Sequence, residues 1–288
     1  MMEVGQTATY TKTFTQAEFD LFAKLSGDDN PIHVDPEFSS RTKFGKTVAH
    51  GMLLYSTIGR CLGALLPGSG TVQISQEMIF PNPTFVGQEI TVHLEVIELP
   101  SPDTAKITTN IIQPDGKLSC EGNTLVWLPD LAAKFSDYCY TPPKYLGGAK
   151  GHRGLKLGDK VSQTRVFSLE DLFAYYELVS EQNSVILDSV YAQSIGLQGC
   201  IVPGGLLGGT VSDILGTKLP GRGTNWLKQK FHFLAPAYPG EEITTSVEII
   251  RLRPEKDLVN LRTTLTNPQG EVVVDGEALV WVSDLEKN

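Results

Sequence analysis

Residues 51–66, GMLLYSTIGRCLGALL, form a segment that is apolar on most faces when it is wound as an α-helix. A helix of this composition is expected to be buried. Four runs rich in Val, Ile and Thr follow it, at residues 72–80, 89–99, 105–113 and 118–128. Such runs, separated by turns such as PDG, predict antiparallel strands. A buried helix followed by antiparallel strands predicts an α+β unit whose sheet curls around the helix.

This unit occurs twice in the chain. The predicted helix recurs at residues 204–219 as GGLLGGTVSDILGTKL, an offset of 153 positions. The same offset aligns Gly5 with Gly158, Asn30 with Asn183, and Pro83 with Pro236, and after one extra residue an offset of 154 aligns Gly116 with Gly270. A repeat this long indicates a duplicated domain and not a solenoid. We therefore predict a first domain over residues 1–130, a linker rich in Pro, Gly and Lys over residues 131–155, and a second domain over residues 156–288.

Composition narrows the classes of function. The chain has 288 residues, of which 41% are hydrophobic, so it can bury a substantial core. Its 24 Lys and Arg against 33 Asp and Glu give a net charge of -9, which disfavours a nucleic-acid partner. The four cysteines are far apart and form no CxxC motif, so we expect reduced core thiols and no disulfide framework. No motif calls for a cofactor or a metal ion, and we expect neither.

The N-terminal segment is polar, and no apolar run approaches the ~18 residues of a membrane span. We expect a cytoplasmic protein without a membrane span, although an organelle address is not excluded by the sequence.

An unusual loop, GDDNPIHVD at residues 27–35, separates a short amphipathic helix from the buried helix. Gly27 allows backbone angles closed to other residues, and Pro31 keeps Asn30 out of the helical region, so the first helix must end here. Such a loop can hold Asp28 and His33 close together. A carboxylate beside an imidazole is suited to orient a water molecule and move its protons at neutral pH.

Ordinary turn chemistry also explains a DDNP sequence. The second copy of the unit separates the two explanations. There, Asp28 becomes Glu181 and His33 becomes Ile186, whereas Asn30 persists as Asn183. A loop that needed Asp and His only for folding would keep them in both copies. We therefore interpret Asp28 and His33 as chemical residues, and Asn30 as a residue that also shapes the loop.

The segment SGDDNPIHVDPEFSSRTKFGKTVAHGML resembles the signature of the MaoC-type dehydratases, the (R)-specific enoyl-CoA hydratase 2 family. The resemblance covers the first half and, in degenerate form, the second. It implies a tandem, or double, hot-dog fold with the active site where the two units meet. It also implies that Asp28 and His33 are the catalytic pair and that the Gly51 amide polarises a thioester carbonyl. Asn30 and His50 join Gly51 as candidate substrate-binding residues, although a histidine at His50 is also explained as a helix-start residue.

The activity implied by this resemblance is the reversible syn hydration of a trans-2-enoyl thioester to an (R)-3-hydroxyacyl thioester. The substrate partner would be an acyl-CoA or an acylated acyl carrier protein. The sequence leaves open which of Asp28 and His33 is the base and which the acid. A hot-dog acyl-thioesterase, or a non-catalytic subunit that binds acyl thioesters, is the alternative, although thioesterases of this fold usually lack the D-x-N-P-x-H loop.

The second copy predicts one active site per chain, because it has lost the pair and has Pro203 where the first copy has His50. Four glycines in the first half of its helix either make room for an acyl chain or allow the helix to pack closely against the sheet: Gly204, Gly205, Gly208 and Gly209. Basic linker residues could bind CoA phosphates or simply be solvated: Lys144, Lys150, His152 and Arg153. The assembly is open, and a homodimer of double hot-dogs is one candidate.

Overall fold

The computed structural model describes residues 2–129, 138, 140–143 and 147–285, and it shows the same order of elements in both halves. The first half contains β1 (Thr7–Thr13), α1 (Gln16–Ser26), α2 (Pro31–Val34), α3 (Pro36–Ser40), α4 (Gly51–Ala64), β2 (Val72–Ile79), β3 (Glu89–Ser101), β4 (Thr104–Ile112) and β5 (Leu118–Trp127). Three short linker strands follow: β6 (Gly147–Gly148), β7 (Gly151–His152) and β8 (Leu155–Lys156). The second half contains β9 (Lys160–Val166), α5 (Leu169–Val179), α6 (Ser184–Leu187), α7 (Ser189–Ser194), α8 (Gly204–Thr217), β10 (Asn225–Phe233), β11 (Glu242–Arg253), a 3-10 turn (Pro254–Lys256), β12 (Leu258–Thr266) and β13 (Val272–Trp281).

The first helix of each half begins with a capping box. The Thr15 side chain accepts from the Glu18 amide, and the Glu18 carboxylate accepts from the Thr15 amide. Ser168 and Asp171 repeat this arrangement at the start of α5. A reciprocal cap of this kind satisfies amides that the first turn of a helix leaves free. The sequence therefore locates both helix starts correctly.

One continuous sheet of eleven strands runs through both halves. Its order is β1-β3-β4-β5-β2-β10-β13-β12-β11-β6, with β9 paired on β11. The halves join where β2 and β10 pair antiparallel, in a register that places Met78 opposite Gln229. Val, Ile and Leu side chains alternate along the strands and face α4 and α8, whose own apolar residues are buried. The predicted α+β architecture, with a sheet wrapped around a central helix in each half, is confirmed.

Helices α4 and α8 pack closely against each other. A Cβ atom on Gly205 would lie 2.2 Å from Ser56 Oγ and 2.4 Å from the Tyr175 hydroxyl oxygen. A Cβ atom on Gly208 would lie 2.6 Å from Met52 Sδ. The same crowding holds for Gly204 and Gly209. The space beside all four is filled by protein atoms and leaves no room for an acyl chain. The close packing is against helices α1, α4 and α5 more than against the sheet, which was the packing partner expected from the sequence.

The linker is described only in part. Residues 130–137, 139 and 144–146 lie outside the described residues, and with them the predictions for Cys139 and Lys144. His152 Nε2 and Arg153 Nε lie 2.7 and 2.8 Å from the same carboxylate oxygen of Asp257, which ties this part of the linker to the second half. Cys61, Cys120 and Cys200 are free thiols. Among the described residues, no helix is both long and apolar enough to cross a membrane.

The helix contact gives a matched pair of stability predictions. Gly205→Ala forces a methyl group against Ser56 and Tyr175, and overpacking of this kind costs about 1–3 kcal/mol. Gly59→Ala also adds a methyl group within a central helix, but a Cβ atom there meets nothing within 4 Å. Helix propensity then favours Ala by up to about 1 kcal/mol. We expect urea unfolding to show a lower midpoint for Gly205→Ala and an equal or higher one for Gly59→Ala. Equal midpoints for the two variants would contradict this account of the contact.

Candidate active site

Asn30 shapes the loop between α1 and α4. Helix α1 ends at Gly27, whose φ of 89° lies in the left-handed region that favours glycine. The Asn30 side chain then accepts from the Ile32 amide and so caps α2. Its Nδ2 donates to the carbonyl of Gly216 on α8, at 3.2 Å. Asn183 does the equivalent in the second half, where its Nδ2 donates to the Thr71 carbonyl at 2.8 Å. The persistence of this asparagine in both copies therefore has a structural cause.

Asp28 is held from both halves of the chain. Its side chain is only 1% exposed. Oδ1 accepts from the Asn30 amide at 3.3 Å, and Oδ2 accepts from the hydroxyl of Ser212 on α8 at 2.5 Å. Hydrogen bonds to a carboxylate fix its orientation. The second half thus supplies a direct contact to the predicted catalytic residue of the first.

His33 points toward the same place as Asp28. Its Nδ1 lies 2.7 Å from the carbonyl oxygen of Val48. A carbonyl can only accept, so Nδ1 carries a proton and Nε2 of the neutral ring is free to accept one. Nε2 lies 3.9 Å from Asp28 Oδ2. This distance is too long for a direct hydrogen bond, but a water molecule between the two atoms could bond to both.

Gly51 and His50 occupy different positions relative to the pair. Gly51 begins α4 and lines the pocket, and its amide belongs to the first turn, where helix amides have no intrahelical acceptor. A Cβ atom at Gly51 would lie 3.1 Å from the Phe80 ring. His50 is fully buried behind the pair, and its Nε2 lies 3.0 Å from the Asp28 carbonyl oxygen. His50 therefore contacts the loop at residues 27–35, and it is not among the residues that line the pocket.

The pocket lies between the two halves and has a volume of about 370 Å³. Asp28, His33 and Gly51 are in its wall, with both polar and apolar neighbours. The second half supplies about a third of the lining residues: Ser212, Leu215, Gly216, Thr224, Asn225, Trp226, Leu227 and Trp281. The corresponding cavity of the second copy, which Ile186 and Gly204 line, has a volume of only about 60 Å³. The larger cavity is the one that contains the carboxylate and the imidazole.

Two residues that contact the loop at residues 27–35 were not predicted from the sequence. Ser212 aligns with Gly59 of the first half, so the repeat gave no sign of its hydroxyl. Gln16 donates to the His33 carbonyl at 2.9 Å and accepts from the Thr47 hydroxyl at 2.6 Å. In the second copy it aligns with Leu169, which is 62% exposed. The replacement of a polar residue by an exposed leucine is the one signal that could have identified Gln16.

Asp28, His33 and His50 also have the spacing of potential metal ligands. Each offers one ligand atom, and these atoms lie within 4.8 Å of one another. The sequence pattern had indicated no such group. One of the two His50 nitrogens is already bonded to a backbone carbonyl, as described above.

Comparisons with known proteins find relatives for both halves of the chain. Residues 2–112 match a MaoC-like domain, and residues 152–276 match a FAS1-like dehydratase domain region. An (R)-specific enoyl-CoA hydratase from Aeromonas caviae is 43% identical over 129 residues, which are 44% of this chain and 96% of that protein. A mitochondrial 3-hydroxyacyl-[acyl-carrier-protein] dehydratase from Solanum lycopersicum is 31% identical over 133 residues, which are 46% of this chain and 79% of that protein.

The whole chain also has a structural counterpart. A protein from Mycobacterium tuberculosis that is described as having a double hot-dog fold superposes with a TM-score of 0.75 over 97% of this chain and 95% of that one. The two are 14% identical, so this likeness concerns the fold alone.

The double hot-dog fold and the sequence relatives define a hydro-lyase, an enzyme of the hydratase and dehydratase class. Within that class, the chain belongs to the MaoC-like dehydratase family.

Ser212 gives a prediction for the contribution of the second half. In Ser212→Ala the buried Oδ2 of Asp28 loses a donor, and a hydrogen bond to a charged group is worth roughly 1.5–3 kcal/mol. We expect kcat to fall about 10- to 100-fold with a small change in KM, because the lost contact orients Asp28. Ser56→Ala removes a buried hydroxyl from the same helix contact without touching Asp28, and its kcat should stay close to the parent value. A folded Ser212→Ala protein with parental kcat would show that this hydrogen bond does not support turnover.

Proposed function

We propose that this protein catalyses the reversible syn hydration of a trans-2-enoyl thioester to the (R)-3-hydroxyacyl thioester. The observation that supports the proposal is that a carboxylate and an imidazole lie 3.9 Å apart in the wall of a pocket that Gly51, the first residue of α4, also lines. The hydratase and dehydratase relatives support the reaction class.

The chemistry begins with a water molecule between His33 Nε2 and Asp28 Oδ2. In the hydration direction its oxygen bonds to the β-carbon of the enoyl thioester, and one of its protons passes to the pair. The electrons of the double bond move toward the thioester carbonyl, which becomes enolate-like. A proton from the pair then bonds to the α-carbon, so the pair ends with the proton count at which it started. Because one pair handles both events, both additions are expected on the same face.

The developing negative charge on the thioester oxygen needs a donor. The Gly51 amide stands at the N-terminus of α4, where the helix has a partial positive charge. An amide fixed in this position stabilises an enolate-like oxygen more than a neutral carbonyl, which is the requirement for catalysis. The absence of a side chain at Gly51, beside the Phe80 ring, allows the carbonyl to come close to the backbone.

The names of the relatives indicate two possible carriers for the acyl group. One is named for an enoyl-CoA substrate and another for an acyl-carrier-protein substrate. We propose CoA as the carrier, with acyl carrier protein as the alternative, and we propose that the apolar residues of the second half surround the acyl chain. We also propose a cytoplasmic location and, as one assembly, a homodimer. The name of the tomato relative leaves a mitochondrial location as the alternative.

The first test distinguishes hydration from thioester cleavage. With crotonyl-CoA as substrate, hydration removes the absorbance of the conjugated enoyl thioester without releasing thiol. We expect loss of that absorbance, no increase in a thiol reagent signal, and a 3-hydroxybutyryl product that is predominantly (R) by chiral analysis. Release of free CoA would favour a thioesterase, and a predominantly (S) product would contradict the stereochemistry. Binding without either reaction would favour a non-catalytic subunit.

The second test uses the duplication as a control. Asp28→Asn and His33→Ala should each reduce kcat by about 10²- to 10⁴-fold, because each removes an acid-base group. Glu181→Gln makes the same kind of change as Asp28→Asn at the equivalent position of the second copy. There the Glu181 carboxylate accepts from the Gln182 and Asn183 amides at 2.9 and 3.0 Å and has no facing imidazole, because Ile186 replaces His33. We expect its kcat to stay within a few-fold of the parent.

Thermal midpoints of all three variants are measured alongside the rates, so that a loss through unfolding is recognised. The single-site mechanism would be abandoned if Asp28→Asn kept its parental kcat, or if folded Glu181→Gln were equally impaired.

A further inference from the structure

His50 touches both members of the catalytic pair without facing the substrate pocket. Its Nε2 is 3.0 Å from the Asp28 carbonyl oxygen. Its ring stacks on the His33 ring, with centroids 3.9 Å apart and an angle of 29° between the planes. The Phe22 ring contacts the His50 ring as well, in a tilted arrangement with centroids 5.1 Å apart. A fully buried side chain with these contacts can set the distance between Asp28 and His33.

The hydrogen bond fixes the protonation of His50. The Asp28 carbonyl only accepts, so the proton of the neutral ring is on Nε2 and Nδ1 carries none. Nδ1 is buried and has no hydrogen-bond partner among the described residues. Burial, and secondarily the nearby His33, lower the pKa of His50 well below its usual value. His50 is therefore uncharged at neutral pH, and the titratable groups that face it are Asp28 and His33.

We propose that His50 is a positioning residue, which holds the Asp28 backbone through its Nε2–H and supports the His33 ring by stacking, and so sets the gap that the reacting water occupies. This inference rests on the function proposed above. It replaces the expectation that His50 binds substrate, because the side chain lies behind the pair and outside the pocket lining.

The second copy shows that the fold does not need a histidine here. Pro203 stands in its place, and the Pro203 carbonyl accepts from the Leu207 amide at 3.2 Å, as the His50 carbonyl does from the Leu54 amide. The Ile186 amide also donates to the Asn183 carbonyl at 3.0 Å, as the His33 amide does to the Asn30 carbonyl at 2.9 Å. A buried polar atom without a partner costs roughly 1–3 kcal/mol. The buried Nδ1 of His50 bears this cost in the first copy, whereas Pro203 of the second copy has no such atom. The cost therefore occurs in the copy that contains Asp28 and His33, which points to a role in catalysis.

Three substitutions separate the two contacts. His50→Gln can keep an N–H donor near the Asp28 carbonyl but loses the ring, His50→Phe keeps a ring but loses the donor, and His50→Leu loses both. Misplacement of a reacting group by about 1 Å can cost ~10²-fold in rate. We expect kcat of His50→Leu to fall by roughly that factor, with KM within about three-fold of the parent. His50→Gln and His50→Phe should each recover part of the loss.

A further readout concerns His33 and does not depend on turnover. ¹⁵N NMR of the imidazoles should show His33 protonated at Nδ1 in the parent and a mixture of tautomers in His50→Leu.

The pH profile of kcat/KM should shift in His50→Leu, because the environment of His33 has changed. Pro203→Ala alters the equivalent junction of the second copy, and its kcat and pH profile should match those of the parent.

Several outcomes would overturn the inference. Folded His50→Leu with parental kcat and an unchanged His33 tautomer would show that His50 positions nothing. A rise in KM with kcat unchanged would assign it to substrate binding, and a His50→Gln protein as inactive as His33→Ala would assign it a proton transfer of its own. If the parent hydrates no enoyl thioester, the proposed function fails, and the tautomer measurement still decides whether His50 holds His33 in place.

Discussion

The packing of α4 against α8 is the contact on which the site depends. Each helix is buried within its own half, yet each also supports the loop of the other half. Ser212 of α8 donates to Asp28, and the Gly216 carbonyl accepts from Asn30. In the reverse direction, Arg60 of α4 donates to the Ser180 carbonyl at 3.3 Å. Because glycines let the helices approach closely, the short side chains of Ser212 and Asn30 can reach across, and both halves contribute to the site.

The two copies show how one carboxylate position acquires different chemistry. Burial raises the pKa of Glu181, and bonds from two backbone amides and the charge of Arg60 oppose that change. Its counterpart Asp28 also accepts from a backbone amide, that of Asn30, but it has a serine hydroxyl and an imidazole as further neighbours. A buried carboxylate needs partners in either case, because an unpaired buried charge is costly. What differs is that the partners of Asp28 include a group that can exchange protons, whereas those of Glu181 only stabilise it.

Much of this arrangement could be predicted from the sequence, because it is local or repeated. The capping boxes at Thr15 and Ser168, the helix end at Gly27 and the duplicated helix-and-strand order follow from patterns within a few residues. The proximity of Asp28 and His33 followed from a single loop. Contacts between the halves could not be predicted, because they depend on the side of α8 that faces the loop. Ser212 is of this kind, and so is the close contact made by the four glycines. The stacking of His50 on His33 lies within the first half, but it depends on how two separate segments of the chain meet.

Duplication allows the two halves to diverge in a way that two identical subunits cannot. In a symmetric pair every substitution that favours one site is imposed on the other, whereas in this chain each position of the repeat varies alone. Ser212 has a hydroxyl where Gly59 has none, and the cavity is about 370 Å³ around His33 against about 60 Å³ around Ile186. The second half has no facing carboxylate and imidazole to hold, so its helix and strands need not shape a large pocket of their own. Helix α8 and the start of β10 remain constrained in sequence, because they form the far wall of the first pocket. This explains why the second half has the same loop, asparagine cap and helix packing although it lacks the aspartate and the histidine.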